Sequence, residues 1–62
     1  MTAVEYAETL GNNCRLLKMD ASTASTMAEQ SSIVTDHFDD FWYGYYYGRA
    51  CEVTPLPAAI TS

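Results

Sequence analysis

The fold is decided by the run Thr26-Met27-Ala28-Glu29-Gln30-Ser31-Ser32-Ile33-Val34-Thr35-Asp36-His37-Phe38-Asp39-Asp40-Phe41-Trp42-Tyr43-Gly44-Tyr45-Tyr46-Tyr47. Met27, Ser31, Val34, Phe38, Phe41 and Tyr45 recur there at alternating four- and three-residue steps, the spacing of a seam between two packed helices. Thr26-Met27-Ala28-Glu29 matches a capping box, in which the Thr hydroxyl takes an amide of the first turn and the Glu reaches back to the cap amide. A helix over residues 26–47 is expected, with Met27, Val34, Phe38, Phe41 and Tyr45 as its core seam and Trp42 on its flank.

A second helix start stands near the beginning of the chain. Thr2-Ala3-Val4-Glu5 repeats the capping box, and Ala3, Tyr6, Ala7, Leu10, Cys14 and Leu17 then fall within about 100° of one another on a helical wheel. Glu5 and Glu8 lie at the start and Arg15 and Lys18 at the end, the order that complements the helix dipole. This predicts a helix over about residues 3–18. Its weak point is Gly11-Asn12-Asn13, where turn-favouring residues predict a kink or a break. Met19 to Ser25 reads as the connection.

The expected architecture is therefore all-α: a small antiparallel helical hairpin in a single domain over residues 1–54. Residues 55–62 form an extended tail, because Pro55 and Pro57 exclude both helix and central strand. Two points stay open at the end of the second helix. Trp42 to Val53 is rich enough in aromatics for a short strand or hairpin, although the seam keeps helical phase through Tyr45. Gly44 and Gly48 have the spacing that lets two helices approach closely, and either also suits a helix terminus.

A chain of 62 residues buries only about 60% of the surface its unfolded form exposes, so additional support is expected. Cys14 and Cys51 permit one disulfide at most and have no CxxC spacing for a zinc site. The N-terminus lacks the features of a signal peptide, and no run approaches the roughly 18 apolar residues of a membrane span. These features predict a cytoplasmic protein whose cysteines act as small hydrophobes. In an antiparallel hairpin they lie at opposite ends, beyond the Cα separation of about 5.5 Å that a disulfide needs. Self-association into a homo-oligomer, or docking on a partner, is the expected support.

The formal charge of −5 and the pI near 4.3 repel nucleic acid and anionic lipid and favour a basic partner. No direct nucleic-acid binding and no membrane binding are expected. Asp36, Asp39, Asp40 and His37 do not form a metal site on a helix, because residues 36 and 40 share a face from which 39 points away. No catalytic motif is present: His37 reads as a partly buried surface residue, and Cys14, although near Arg15, has no histidine or helix N-terminus beside it to lower its pKa. A non-enzymatic protein without cofactors is expected.

Recognition is the remaining chemistry. Residues 36–49 hold seven of the eight aromatic side chains and three of the eight carboxylates. Trp, Tyr and Arg dominate binding hot spots because each joins a large flat contact area to a polar tip. On the continuous helix, Glu29, Asp36 and Asp40 line up with Tyr43 and Tyr47 as an acidic stripe ending in two phenols. With Asp39, Trp42 and Tyr46 these form the expected partner-binding set. Carboxylates four residues apart on a helix repeat at about 6 Å, against one charge per 1.7 Å along duplex DNA, so the stripe is a partial mimic of a phosphate backbone.

In size and charge alone, the chain resembles the acidic, motif-poor proteins that bacteriophages direct against host nucleic-acid enzymes such as topoisomerases, polymerases or CRISPR effectors. The function expected is binding and inhibition of a larger protein with a basic groove. The alternative is a structural or accessory subunit whose seam builds a homo-oligomeric helical bundle.

Overall fold

The computed structural model describes residues 1–57. The expected tail over 55–62 is thus described at Pro55, Leu56 and Pro57, which belong to no helix or strand, and its remainder lies outside the described residues. Four helices follow in order: α1 (Ala3–Leu16), α2 (Ala21–Glu29), α3 (Ser32–Thr35) and α4 (Phe38–Tyr47). Among the described residues there is no strand, and no helix is long and apolar enough to cross a membrane. The described fold is all-helical, and α1 packs against α4. Glu8 meets Gly44 and Asn12 meets Gly48, so the two helices run in the same direction and not antiparallel as expected, with α2 and α3 forming the return between them.

α1 begins with the expected capping box, Thr2 Oγ1 accepting from the Glu5 amide at 3.1 Å and Glu5 Oε1 accepting from the Thr2 amide at 3.4 Å. It ends at Leu16 with a left-handed residue, Lys18 at φ 59°. The Met19 amide returns to the Cys14 carbonyl and the Lys18 amide to Arg15, which satisfies the last carbonyls of the helix. Leu17, expected in the apolar arc, caps the helix instead and is exposed. Gly11-Asn12-Asn13 neither breaks nor ends α1, and all three residues are buried within it.

The expected continuous helix over 26–47 is three helices. Asp20 caps α2, its carboxylate accepting from the Thr23 amide at 2.8 Å, so α2 starts inside the segment read as the connection. Thr26 is therefore mid-helix and not a cap; its hydroxyl donates to the Ser22 carbonyl at 3.1 Å. Ala24 and Ala28, four residues apart, give α2 its buried edge. Ser31 then interrupts the helix, because its hydroxyl accepts from the Val34 amide and caps a new turn rather than continuing the old one. His37 makes a second break at φ −134°, and α4 restarts with Asp39 and Asp40 in a first turn where negative charge is favourable. α4 runs through Tyr47 and is capped at Gly48, so residues 42–47 are helix and not strand.

The core consists of Ala7, Cys14, Ala24, Ala28, Val34 and Phe41, with Tyr6, Leu10, Met19, Phe38, Trp42 and Tyr45 packed around it. Val34, Phe38, Phe41 and Tyr45 thus occupy the expected seam. Met27 does not: it is 40% exposed, although its Sδ lies 3.8 Å from Cys14 Sγ in the core. Breaking the helix at Ser31 removed Met27 from the register of the residues that follow.

Two glycines set the depth of the α1–α4 contact. A Cβ on Gly44 would strike the Glu8 backbone, and one on Gly11 would strike the Phe41 carbonyl and lie 2.8 Å from the Tyr45 nitrogen. Gly48 meets the Asn12 side chain, so the contacts advance in step along both helices. Gly44 therefore serves close approach and Gly48 serves both close approach and termination.

Candidate interaction surface

α4 carries a continuous aromatic array because ten residues turn nearly three times around the helix axis. Its inner edge is Phe41, fully buried, with Phe38 and Trp42 against it at ring-centroid separations of 6.1 and 4.9 Å. Tyr45 is fixed by its hydroxyl, which donates to the Met19 carbonyl beyond α1. Trp42 is half-buried and stacks on both Phe38 and Tyr46. The outer edge is Tyr43, Tyr46 and Tyr47, exposed by 58%, 61% and 69%. The Tyr43 and Tyr47 rings lie 5.5 Å apart at 43°.

The carboxylates are arranged differently from expectation. Glu29 is the last residue of α2, Asp36 caps α3, and Asp39 and Asp40 begin α4, so Glu29, Asp36 and Asp40 are on three helices and form no single-helix stripe. The breaks at Ser31 and His37 undo the register on which that stripe depended. In its place, Asp36, Asp39 and Asp40 line one polar depression with Thr35, His37 and Phe38 at the α3–α4 junction. His37 Nδ1 stands 3.6 Å from Asp40 Oδ2. Among the described residues no group of three potential ligands is disposed to hold a metal ion.

Sequence reasoning missed a second locus, the groove where α1, α4 and the segment after Gly48 meet. It encloses about 310 Å³ and is lined by Glu8, Asn12, Tyr43, Tyr47, Arg49 and Thr54 among others. Asn13 holds the returning segment with two hydrogen bonds: its Nδ2 donates to the Thr54 carbonyl at 2.8 Å and its Oδ1 accepts from the Thr54 amide at 3.0 Å. Arg15 Nη2 donates to Asn12 Oδ1 at 2.9 Å and to the Ala50 carbonyl at 2.8 Å. The signal was present in Gly11-Asn12-Asn13, three poor helix formers in mid-helix, where a tertiary role outweighs propensity.

That return corrects the geometry expected of the cysteines. Residues 50 and 54 bond to the C-terminal half of α1, so Cys14 and Cys51 do not lie at opposite ends. Both are nonetheless free thiols, Cys14 buried and Cys51 exposed. Burial pushes the Cys14 thiol above its ordinary pKa, which disfavours the nucleophilic thiolate. No protein family describes any part of this chain, and no characterised protein or solved structure is detectably similar to it.

Proposed function

We propose that this chain is a small, non-enzymatic binding protein that occupies the basic groove of a larger nucleic-acid-handling protein and thereby inhibits it. The observation that supports this reading is the outward trio Tyr43, Tyr46 and Tyr47 on a helix fixed by its glycine contacts to α1. Tyrosines on a rigid helix offer contact area at low entropic cost, since the backbone that carries them is already ordered. Beside them, Asp36, Asp39 and Asp40 supply the negative charge that a basic groove attracts. Glu29, at the end of α2, adds to the net negative charge of the protein.

The experiment is capture of the partner with tagged protein, followed by competition of the isolated pair with duplex DNA at rising salt. Binding is expected to compete with DNA and to weaken with salt, because exposed charge pairs are screened over about 8 Å at physiological ionic strength. The combined change Asp36→Asn, Asp39→Asn, Asp40→Asn is expected to slow association, and Tyr43→Ser with Tyr46→Ser to speed dissociation. A pair that ignores both DNA and salt overturns the reading.

Self-association into a helical bundle is the second reading, favoured by the same exposed tyrosines, which a second copy would cover equally well. Sedimentation at micromolar concentration tests it. A dimer that dissociates on Tyr46→Ser supports it, and a monomer throughout removes it.

A further inference from the structure

The groove between α1 and α4 joins Tyr43 and Tyr47 of the proposed partner-binding surface to Glu8, which that surface does not contain. Glu8 of α1 and the Tyr43–Tyr47 pair of α4 both line its walls, together with Gly44. Gly44 lies directly against the Glu8 backbone, so the helix backbones that carry the carboxylate and the phenols are held in close contact at this groove. Among the described residues Glu8 makes no ion pair and accepts no side-chain hydrogen bond, and Arg49 on the groove's edge makes no ion pair either. An unpaired carboxylate that shares a groove with two aromatic rings in an acidic protein is complementary to a flat cation. A guanidinium satisfies both at once, stacking on a phenol face while donating to the carboxylate.

We propose that this groove is an arginine-recognition site, filled by the guanidinium of an arginine side chain on the basic partner. The proposal rests on the binding function argued above and names the contact that would confer specificity within it. Lysine satisfies the carboxylate but lacks the planar face that stacks on tyrosine, so the site prefers arginine. Arg49 is the internal competitor: it lies at the same groove, and its charge disfavours entry of a second cation.

The test uses the full chain and a small probe, acetyl-Gly-Arg-Gly-amide, titrated by NMR beside the same peptide with citrulline in place of arginine. Citrulline keeps the shape and removes the charge. Perturbations centred on Glu8, Tyr43 and Tyr47 are expected, with citrulline weaker by about fivefold to thirtyfold, the range of a partly desolvated cation–π contact. Glu8→Gln and Tyr47→Ala are expected to weaken the arginine peptide, and Arg49→Gln to tighten it, with circular dichroism unchanged in all three. Equal binding of the citrulline peptide overturns the proposal, as do perturbations centred on residues 36–40. Partner capture separates the two readings. A partner that survives Glu8→Gln but is lost with the three aspartates sinks the arginine site alone. A focused arginine titration with no partner captured sinks only the inhibitory function.

Discussion

Gly44 of α4 lies so close to the carbonyl of Glu8 in α1 that no Cβ fits between them, and Gly11 stands in the same relation to Phe41. Each helix therefore contributes one glycine to the other's backbone. In an exposed helix, Gly→Ala stabilises by about 1 kcal/mol. Here the obstacle is backbone, which cannot rotate away, so Gly44→Ala and Gly11→Ala are expected to destabilise by at least about 2 kcal/mol each. Thermal melting checks the sign, and a higher melting temperature for either variant shows that the helices are farther apart than described.

Phe41 and Phe38 separate by burial. Phe41 is fully enclosed and Phe38 only partly, although both belong to the seam. Phe41→Ala is expected to cost about 3 to 5 kcal/mol, the usual penalty for an enclosed ring. Phe38→Ala is expected to cost distinctly less. Equal losses in denaturant titrations contradict that ordering.

The seam from Phe38 to Tyr45 was legible in the sequence because α4 is unbroken there and burial follows helical phase; Val34, across the break at His37, is buried as an apolar residue of α3 and not through a continuous register. The interruptions were not legible, because Ser31 and His37 hold acceptable positions in a helical wheel and break the chain by local hydrogen bonding and backbone geometry. The same limit misplaced the acidic stripe: once the helix divides, a register counted across residues 29–40 has no meaning. Asp20 was passed over as a cap because no apolar run follows it; α2 buries alanines, which carry little hydropathy signal. The groove depended on a tail contact more than 40 residues away in sequence from Asn13, beyond the reach of any periodicity.

Lys18 occupies a left-handed conformation at φ 59°. This costs a side-chain-bearing residue roughly 1 to 2 kcal/mol, while glycine there loses about 0.5 to 1 kcal/mol in unfolded-state freedom. Lys18→Gly is therefore expected to raise stability slightly, by about 0.5 kcal/mol. A lower melting temperature for the variant indicates that the lysine makes a favourable contact at the end of α1.

Asp20 couples α2 to pH. Its hydrogen bonds to Thr23, through the side chain and the backbone, hold its carboxyl below the ordinary range. A depressed folded-state pKa means the cap stabilises fully above the unfolded value, and that this contribution fades as pH falls through the folded value. Asp20→Asn keeps an acceptor for the Thr23 amide but does not titrate. Its stability is expected to fall less steeply on acidification than that of the parent, and parallel acid limbs in the two curves would show that the cap does not contribute.

Asn13 is the residue on which the returning segment depends, since its amide reads both the donor and the acceptor of Thr54. Each such bond is worth about 0.5 to 1.5 kcal/mol net, so Asn13→Ala is expected to cost about 1 to 3 kcal/mol and to release the Thr54 amide to hydrogen exchange. Asn13→Asp makes a sharper comparison. An ionised carboxylate still accepts from the Thr54 amide but turns a second acceptor toward the Thr54 carbonyl, in a position that is almost fully buried. Ionisation is thereby penalised and the new carboxyl's folded-state pKa is raised. The variant should lie below Asn13→Ala at neutral pH and recover on acidification, when the protonated carboxyl again supplies a donor. Protection of the Thr54 amide that is equal in both variants and independent of pH would detach the segment from Asn13 and remove the wall it gives the groove.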